Sequence, residues 1–391
     1  MRQYTYHEIH ALVTKAYLQA RLHERNTLAQ IDFEMNQERN INHLTAILYN
    51  RSWKPSPLDW FVLTEPSIRE VFAPQFRDRV VSHILFDLIS PIFERHFIFD
   101  TYSCREGKGT LMGIERFEHH IRSVTNNYTR PGYCLNIDIS GYFMSIVRER
   151  LYEIAWATLD KHRKKFPDDI DYDFADFLMQ RFLFRDPLEG CTYHGNPNLK
   201  ELVRPEKSLF GQKPGVGLPI GDVINQLNSN IYLSVFDHFV KRVLKIKGYD
   251  RYVDDARLLH TDYRYLESCI NKCAEFLERE LCLKLHPNKT TITDLYDTTF
   301  FLGAAILPHR RYANNKAMTR FRNFVREAES AMDAGVPVDM MHIYAVLNSR
   351  LGYLQHFDEY KMTEKILSKA PHINGIFEFT PRYTKATFKQ S

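Results

Sequence analysis

The stretch Gly248-Tyr249-Asp250-Arg251-Tyr252-Val253-Asp254-Asp255-Ala256-Arg257-Leu258-Leu259-His260 constrains the fold more than any other. It reads as two short strands joined by a tight turn, with the paired aspartates at the turn. Two carboxylates at a hairpin tip repel each other and cost stability unless a cation sits between them. A lone Asp-Asp is a solvated turn in most proteins, so a second signal is needed. It comes from Leu135-Asn136-Ile137-Asp138-Ile139-Ser140-Gly141-Tyr142-Phe143, an apolar strand that delivers a carboxylate at its end. On its own Asp138 reads better as the N-cap of a following helix. Beside Asp254 and Asp255, ligation of divalent metal becomes the better reading. The three acids together suggest a two-metal site for phosphoryl transfer. Mg²⁺ suits such a site, because it takes few carboxylates and leaves room for substrate phosphate oxygens.

The chain has 391 residues, enough for one large core or two to three smaller ones. Its formal net charge of +4 gives weak support for a nucleic-acid partner. Distribution says more: from Ala305 to Arg326 there are six basic residues, Arg310, Arg311, Lys316, Arg320, Arg322 and Arg326, and no acid. A solvated helix face usually mixes signs. A one-sign stretch with Tyr312, Phe321 and Phe324 interleaved suits a surface that follows a phosphate backbone. The cysteines show no paired zinc spacing, and Cys269 and Cys273, one helical turn apart, read as packing. Thiols of this kind fit a reducing compartment. With no apolar signal core at the start and no run of membrane-spanning length, a cytoplasmic protein is expected, with no membrane partner.

Residues from about Thr5 to Leu48 are helical in pattern, and Trp53-Lys54-Pro55-Ser56-Pro57 breaks that pattern. Trp60 to Leu63 and Arg69 to Phe72 read as paired strands around Glu65-Pro66-Ser67. A helix is expected over roughly Arg79 to Phe97, with Val80, Ile84, Leu85, Leu88 and Ile89 at helical spacing. Asp186 to Gly217 reads as a charged, loop-rich insertion. Gly217-Leu218-Pro219-Ile220-Gly221-Asp222-Val223-Ile224-Asn225-Gln226 is a turn opening onto a helix through about Val243, where glycines can bring backbone amides close to a phosphate. Leu266 to Leu283 reads as an amphipathic helix. After Gly303 the tail is expected to be mainly helical to about Ala370 and irregular beyond. The irregular alternation of strands and helices favours an α+β enzyme.

The order of these segments resembles that of reverse transcriptases. Asp138 matches their first catalytic block, Gly217 to Gln226 the second, Tyr252 to Asp255 the third, and Phe301-Leu302-Gly303 the primer-grip turn. Phe76-Arg77-Asp78-Arg79-Val80-Val81, Pro91-Ile92-Phe93-Glu94-Arg95 and Thr101-Tyr102-Ser103-Cys104-Arg105-Glu106-Gly107-Lys108-Gly109-Thr110 resemble the fingers of bacterial diversity-generating retroelement enzymes. So do Leu285-His286-Pro287-Asn288-Lys289-Thr290 and Leu351-Gly352-Tyr353-Leu354-Gln355-His356; the resemblance runs from about residue 20 to 360. It implies a right-hand polymerase fold with fingers, a palm built on an antiparallel sheet, and a helical thumb. The corresponding divisions are an N-terminal helical extension (1–50), fingers and palm (51–303), and thumb with tail (304–391). It further implies RNA-directed DNA synthesis. Asp138, Asp254, Asp255 and the carbonyl of Ile139 would hold two Mg²⁺ ions, with Mn²⁺ as a substitute. Arg69 would grip the incoming triphosphate. Phe143 falls where the family excludes a ribose 2′-hydroxyl, and a core phenylalanine is compatible with that role. Lys289 would neutralise or protonate the pyrophosphate, and Gln226 would lie near the nucleotide. Arg105, Lys108, Tyr252, Gly303, Arg310, Arg311 and Arg320 would touch template or primer.

Two departures narrow the setting. Diversity-generating enzymes usually carry Asn-Leu-Thr-Ser-Gln after the Ile-Gly, where this chain has Asp222-Val223-Ile224-Asn225-Gln226. After the paired aspartates, Ala256-Arg257 replaces an apolar pair. Both favour the related anti-phage defence enzymes, which copy a structured non-coding RNA into cDNA from deoxynucleotides. Mutagenic diversity generation is the alternative, and a catalytically quiet RNA-binding scaffold is the second. Association with a second reverse transcriptase or an accessory protein stays open.

Overall fold

In the computed structural model, residues 2–22, 27–65 and 67–389 are described, and Pro66 of the expected turn lies outside them. The chain divides into two compact units. The first comprises Met1–Gly107, Asn136–Leu258 and Glu267–Thr291, and the second Lys108–Leu135, Leu259–Leu266 and Ile292–Ser391.

Three helices open the chain, α1 (Tyr6–Ala20), α2 (Leu28–Met35) and α3 (Gln37–Tyr49). Thr5 and Glu8 close a reciprocal capping box that fixes where α1 starts. The paired strands follow as β1 (Asp59–Leu63) and β2 (Arg69–Ala73), antiparallel with Trp60 opposite Phe72. Next come α4 (Phe76–His96), α5 (Thr110–Val124), β3 (Tyr133–Ile137), the single turn α6 (Tyr142–Ser145), α7 (Arg148–Lys165) and α8 (Tyr172–Leu183). The insertion holds two 3₁₀ turns and the short strand β4 (Thr192–Tyr193). β4 adds to β1 in parallel, giving the order β2-β1-β4. Buried Glu70 accepts from Ser208 Oγ at 2.7 Å and from the Leu209 amide at 2.8 Å, tying the insertion to β2.

α9 (Val223–His238) continues into a π-helical turn, Phe239–Val243. It is buried on nearly every side, which marks a helix at the centre of a core rather than on its surface. Its buried polar groups find partners: Asn230 Nδ2 donates to the Ser103 carbonyl at 2.7 Å, and Ser234 Oγ to the Ile231 carbonyl at 2.7 Å. β5 (Gly248–Tyr252) and β6 (Asp255–His260) form the anticipated hairpin, followed by α10 (Tyr263–Leu281) and β7 (Thr291–Asp294). The sheet order is β5-β6-β3-β7. Cys269 and Cys273 lie in the buried stripe of α10 with Leu277 and Leu281, so packing explains their spacing.

After Gly303 the chain departs from expectation. β8 (Thr299–Phe301), β9 (Ala304–Leu307) and β10 (Arg310–Ala313) make an antiparallel sheet before the helices begin. On β9, Ala304 and Ile306 are buried and alternate with half-buried Ala305 and Leu307, a period of two that a helical reading missed. The helices are α11 (Asn315–Asp333), α12 (Met340–Leu354), α13 (Tyr360–Leu367) and α14 (Pro371–Ile376). The end is also ordered, as a hairpin of β11 (Phe377–Phe379) and β12 (Ala386–Phe388). Tyr344 stacks on Phe388 at 5.0 Å and Phe377 packs on Phe388 at 4.9 Å. Within the described residues, no helix is long and apolar enough to cross a membrane.

Candidate active site

β3 buries Cys134, Leu135 and Ile137, and Asp138 leaves its end. Asp138 does not cap the next helix, since the N-cap of α6 is Gly141, in the left-handed region at φ +53°. The Asp138 carbonyl accepts from the His286 amide at 2.8 Å, and the Ser140 amide donates to the Lys284 carbonyl at 2.9 Å. These two bonds flank an antiparallel bridge between Ile139 and Leu285 and do not use the Ile139 carbonyl. The same clasp brings Lys289 across: its Nζ donates to Asp138 Oδ2 at 2.9 Å from a largely exposed position.

Asp254 and Asp255 stand at the β5–β6 turn. Val253, the first turn residue, has φ +55°, a left-handed conformation that is an outlier for a β-branched side chain. Such a conformer costs about 1–3 kcal/mol and persists where its surroundings enforce it. Here Arg251 supplies the enforcement. Its fully buried guanidinium grips Asp237 of α9 with two bonds of 2.6 Å, and Nη1 donates to the Val253 carbonyl at 2.7 Å. Tyr249 Oη also donates to Asp237, at 2.7 Å. Arg251 and Asp237 carried no signal in the one-dimensional pattern. Only the alternation of β5, which points both Tyr249 and Arg251 to one face, hinted at a shared partner.

Burial pushes the Asp254 carboxyl up to about 6, with Asp138 and Asp255 adding to the rise and Lys289 opposing it. Burial raises Asp255 as well, against the pull of Arg257. Arg257 holds both Asp255 oxygens, Nη2 reaching Oδ2 at 3.2 Å and Nη1 bonding Oδ1. Two of the three acids therefore have a cation of the chain beside them, which the sequence did not anticipate. Asp138 and Asp255 lie near enough to Asp254 to raise its carboxyl further, a repulsion that a divalent metal would relieve. Asp138, Asp254, Asp255 and the Ile139 carbonyl are the groups that could hold it.

Phe143, half-buried, packs against a cluster of Leu58, Trp60, Val62, Phe72, Met144 and Leu209. Its carbonyl accepts from the Leu218 amide at 2.8 Å, joining it to the Gly-Pro turn. That turn lies against β2, with the Phe72 amide donating to the Ile220 carbonyl at 2.7 Å. Gly221 sits at φ +131°, and a Cβ there would lie 2.5 Å from the Phe72 carbonyl oxygen. Asp222 caps α9 and accepts from Ser82 Oγ, so its acid is structural. Gln226 is exposed one turn into α9, and Tyr252 is half-buried at the end of β5. Arg69 begins β2, half-buried, with Nη2 3.3 Å from Ser67 Oγ.

Arg105 is placed differently from a nucleic-acid contact. Its side chain is 5% exposed, paired with Glu94 at 2.8 Å and bonded to the Ile98 and Thr101 carbonyls. In the second unit, Arg311 donates to the His356 carbonyl at 2.6 Å and to Glu118 at 3.3 Å. Phe321 is a core residue of α11, and Phe324 lies under the Arg350 guanidinium at 5.3 Å. Arg310, Lys316, Arg320, Arg322 and Arg326 remain exposed, and Lys108 is half-buried before α5. Gly303, at φ +86°, turns β8 into β9, and its carbonyl accepts from the Asn314 amide at 2.9 Å.

No family model matches the chain. It is 24% identical over 301 residues to Protein YkfC of Escherichia coli (strain K12), covering 66% of this chain and 69% of that protein. Among solved structures it is similar to telomerase from Candida albicans in complex with a TWJ fragment of telomeric RNA. There the TM-score is 0.47 at 10% identity, over 82% of this chain and 57% of that one. Telomerase from Candida tropicalis with the same kind of RNA fragment gives 0.45 at 11% identity, over 81% and 55%. The chain thus spans less than two thirds of these telomerase chains.

Proposed function

We propose that the chain is an RNA-directed DNA polymerase, a reverse transcriptase that adds deoxynucleotides to a 3′-hydroxyl. The observation that supports this reading is electrostatic: Asp138 raises the carboxyls of both Asp254 and Asp255, and Lys289, bonded to Asp138, opposes both rises. Sequence blocks more than a hundred residues apart supply these side chains. Two Mg²⁺ ions, or Mn²⁺ in their place, would lower the pKa of the attacking hydroxyl and stabilise the leaving pyrophosphate.

The chain's own residues do the rest. Asp138, Asp254, Asp255 and the Ile139 carbonyl offer the oxygen ligands. Lys289, on a largely exposed side chain, passes from Asp138 to a phosphate oxygen. Arg69 clamps the triphosphate by charge-assisted bonds. Phe143, backed by the Trp60–Phe72 cluster, is the wall against a ribose 2′-hydroxyl, and Gln226 lies beside the nucleotide. Tyr252 supports the primer end. In the second unit Lys108, Gly303, Arg310 and Arg320 are the nucleic-acid contacts, while Arg105 and Arg311 act by holding their loops. In this reading residues 51–303 are fingers and palm and 304–391 the thumb and tail.

The proposed setting is bacterial anti-phage defence, with a structured non-coding RNA as template. Asp222-Val223-Ile224-Asn225-Gln226 and Ala256-Arg257, which depart from the pattern of the diversity-generating enzymes, support it over mutagenic diversity generation. A second reading, a quiet RNA-binding scaffold, is favoured by one observation: Lys289 and Arg257 let two of the acids persist without metal. Sequencing nucleic acid co-purified with wild type and with Asp254→Ala/Asp255→Ala separates these. A cDNA found only with wild type and complementary to a bound RNA supports the polymerase. Bound RNA with no carboxylate-dependent DNA, at rest and under phage challenge, supports the scaffold.

A further inference from the structure

Arg257 stands two residues after Asp255 on β6, so strand alternation puts both side chains on one face. The guanidinium fork closes on the carboxylate with one nitrogen per oxygen, Nη2 to Oδ2 at 3.2 Å beside the Nη1 to Oδ1 bond. Nη1 also donates to the Ala256 carbonyl at 3.1 Å, which fixes the plane of the fork. The Arg257 side chain is only 11% exposed. Lys289 differs on each count: one bond to one oxygen of Asp138, from a side chain 57% exposed. A lysine on that stem can swing to solvent, whereas a shielded bidentate arginine holds its partner by geometry as well as charge.

We propose that Arg257 is a built-in latch on the metal site: it occupies both oxygens of Asp255 and must release at least one before Asp255 can ligate a divalent cation. This rests on the polymerase reading for the presence of metal. The latch keeps the acids compact in the metal-free chain and raises the cation concentration needed to complete the site.

The test is Mn²⁺ binding to the full chain, followed by the loss of the free-ion electron paramagnetic resonance signal. The samples are wild type, Arg257→Gln, Arg257→Lys and each variant combined with Asp254→Asn. The latch predicts that both arginine variants bind Mn²⁺ about three- to tenfold more tightly, since breaking a bidentate pair removes a competitor of this strength. Binding should vanish with Asp254→Asn. Arg257→Lys keeps the charge and tolerates burial of the stem, so it reads out even where the glutamine variant fails to fold. If Arg257→Lys binds like wild type, or more weakly, the fork is no latch; with Asp254-dependent binding intact, the metal site itself stands. If none of the proteins takes up Mn²⁺, the latch and the polymerase reading fall together.

Discussion

Arg251 Nη1 donates to the carbonyl oxygen of Val253 at 2.7 Å, while the rest of the same guanidinium is locked onto Asp237. One buried ion pair thus reaches the turn that carries Asp254 and Asp255. The left-handed Val253 aims the two acids, and Arg251 holds it there.

Removing one member of a buried pair leaves an uncompensated charge, at a cost of about 3–5 kcal/mol. Arg251→Met is therefore expected to unfold at markedly lower denaturant. The double variant Arg251→Met/Asp237→Leu should regain most of that stability, because neither charge remains. It should still lose DNA synthesis, since nothing then holds Val253. Chemical denaturation with an incorporation assay on the same samples checks both halves.

Gly221→Ala places a methyl group 2.5 Å from the Phe72 carbonyl oxygen, a backbone atom that cannot step aside. A loss of about 2–4 kcal/mol is expected from this clash together with the strained φ. Gly107→Ala is the control: its φ is +67°, with nothing within 4 Å of the added carbon. It should cost about 1 kcal/mol from backbone conformation alone. Thermal unfolding of the pair measures the difference.

The hairpin with Asp254 and Asp255 was legible because strand alternation and a two-residue turn are local patterns. Asp138 was legible because an acid ending an apolar run is rare enough to notice. The pair Arg251–Asp237 was not, since fourteen residues and a change from helix to strand separate them and no periodicity links the two. Arg257 was visible as an oddity, but its attachment to Asp255 needed the strand's face. The basic run from Arg310 to Arg326 was over-read: Arg311 is tied down by Glu118 and His356, and Phe321 belongs to the core. The β9–β10 hairpin was missed because its four-residue strands are too short to outweigh the helical run that follows.

Asp254 gives a pH signature. Its folded carboxyl sits at about 6 against an ordinary 3.8, so between those values the folded chain holds a proton that the unfolded chain has lost. This residue therefore lowers metal-free stability as pH rises from about 4 to 6. Asp254→Asn should flatten that slope and stabilise the metal-free protein by about 1–2 kcal/mol at pH 7, discounted for partial exposure. Divalent binding moves the other way, strengthening as pH passes 6. Denaturation and Mn²⁺ titration at pH 5 and 7.5 test both signs.

If Phe143 is the wall against a ribose 2′-hydroxyl, Phe143→Ala opens it while the Trp60–Phe72 cluster behind it stays in place. Discrimination against ribonucleotides should fall by about tenfold or more, a usual scale for losing bulk in a specificity pocket. The half-buried ring should also cost about 1–3 kcal/mol of stability. Competing deoxy- and ribonucleotide incorporation by the folded variant measures the first effect. Unchanged selectivity would leave Phe143 as a core residue only.

The most direct measurement is incorporation of labelled deoxynucleotides by the full chain, purified with the RNA it carries, in Mg²⁺. The expected result is an RNA-templated DNA product that disappears in Asp254→Asn and in Asp255→Asn while bound RNA is retained. Incorporation undiminished in both variants, or none by wild type in Mg²⁺ or Mn²⁺ with its RNA present, would contradict it.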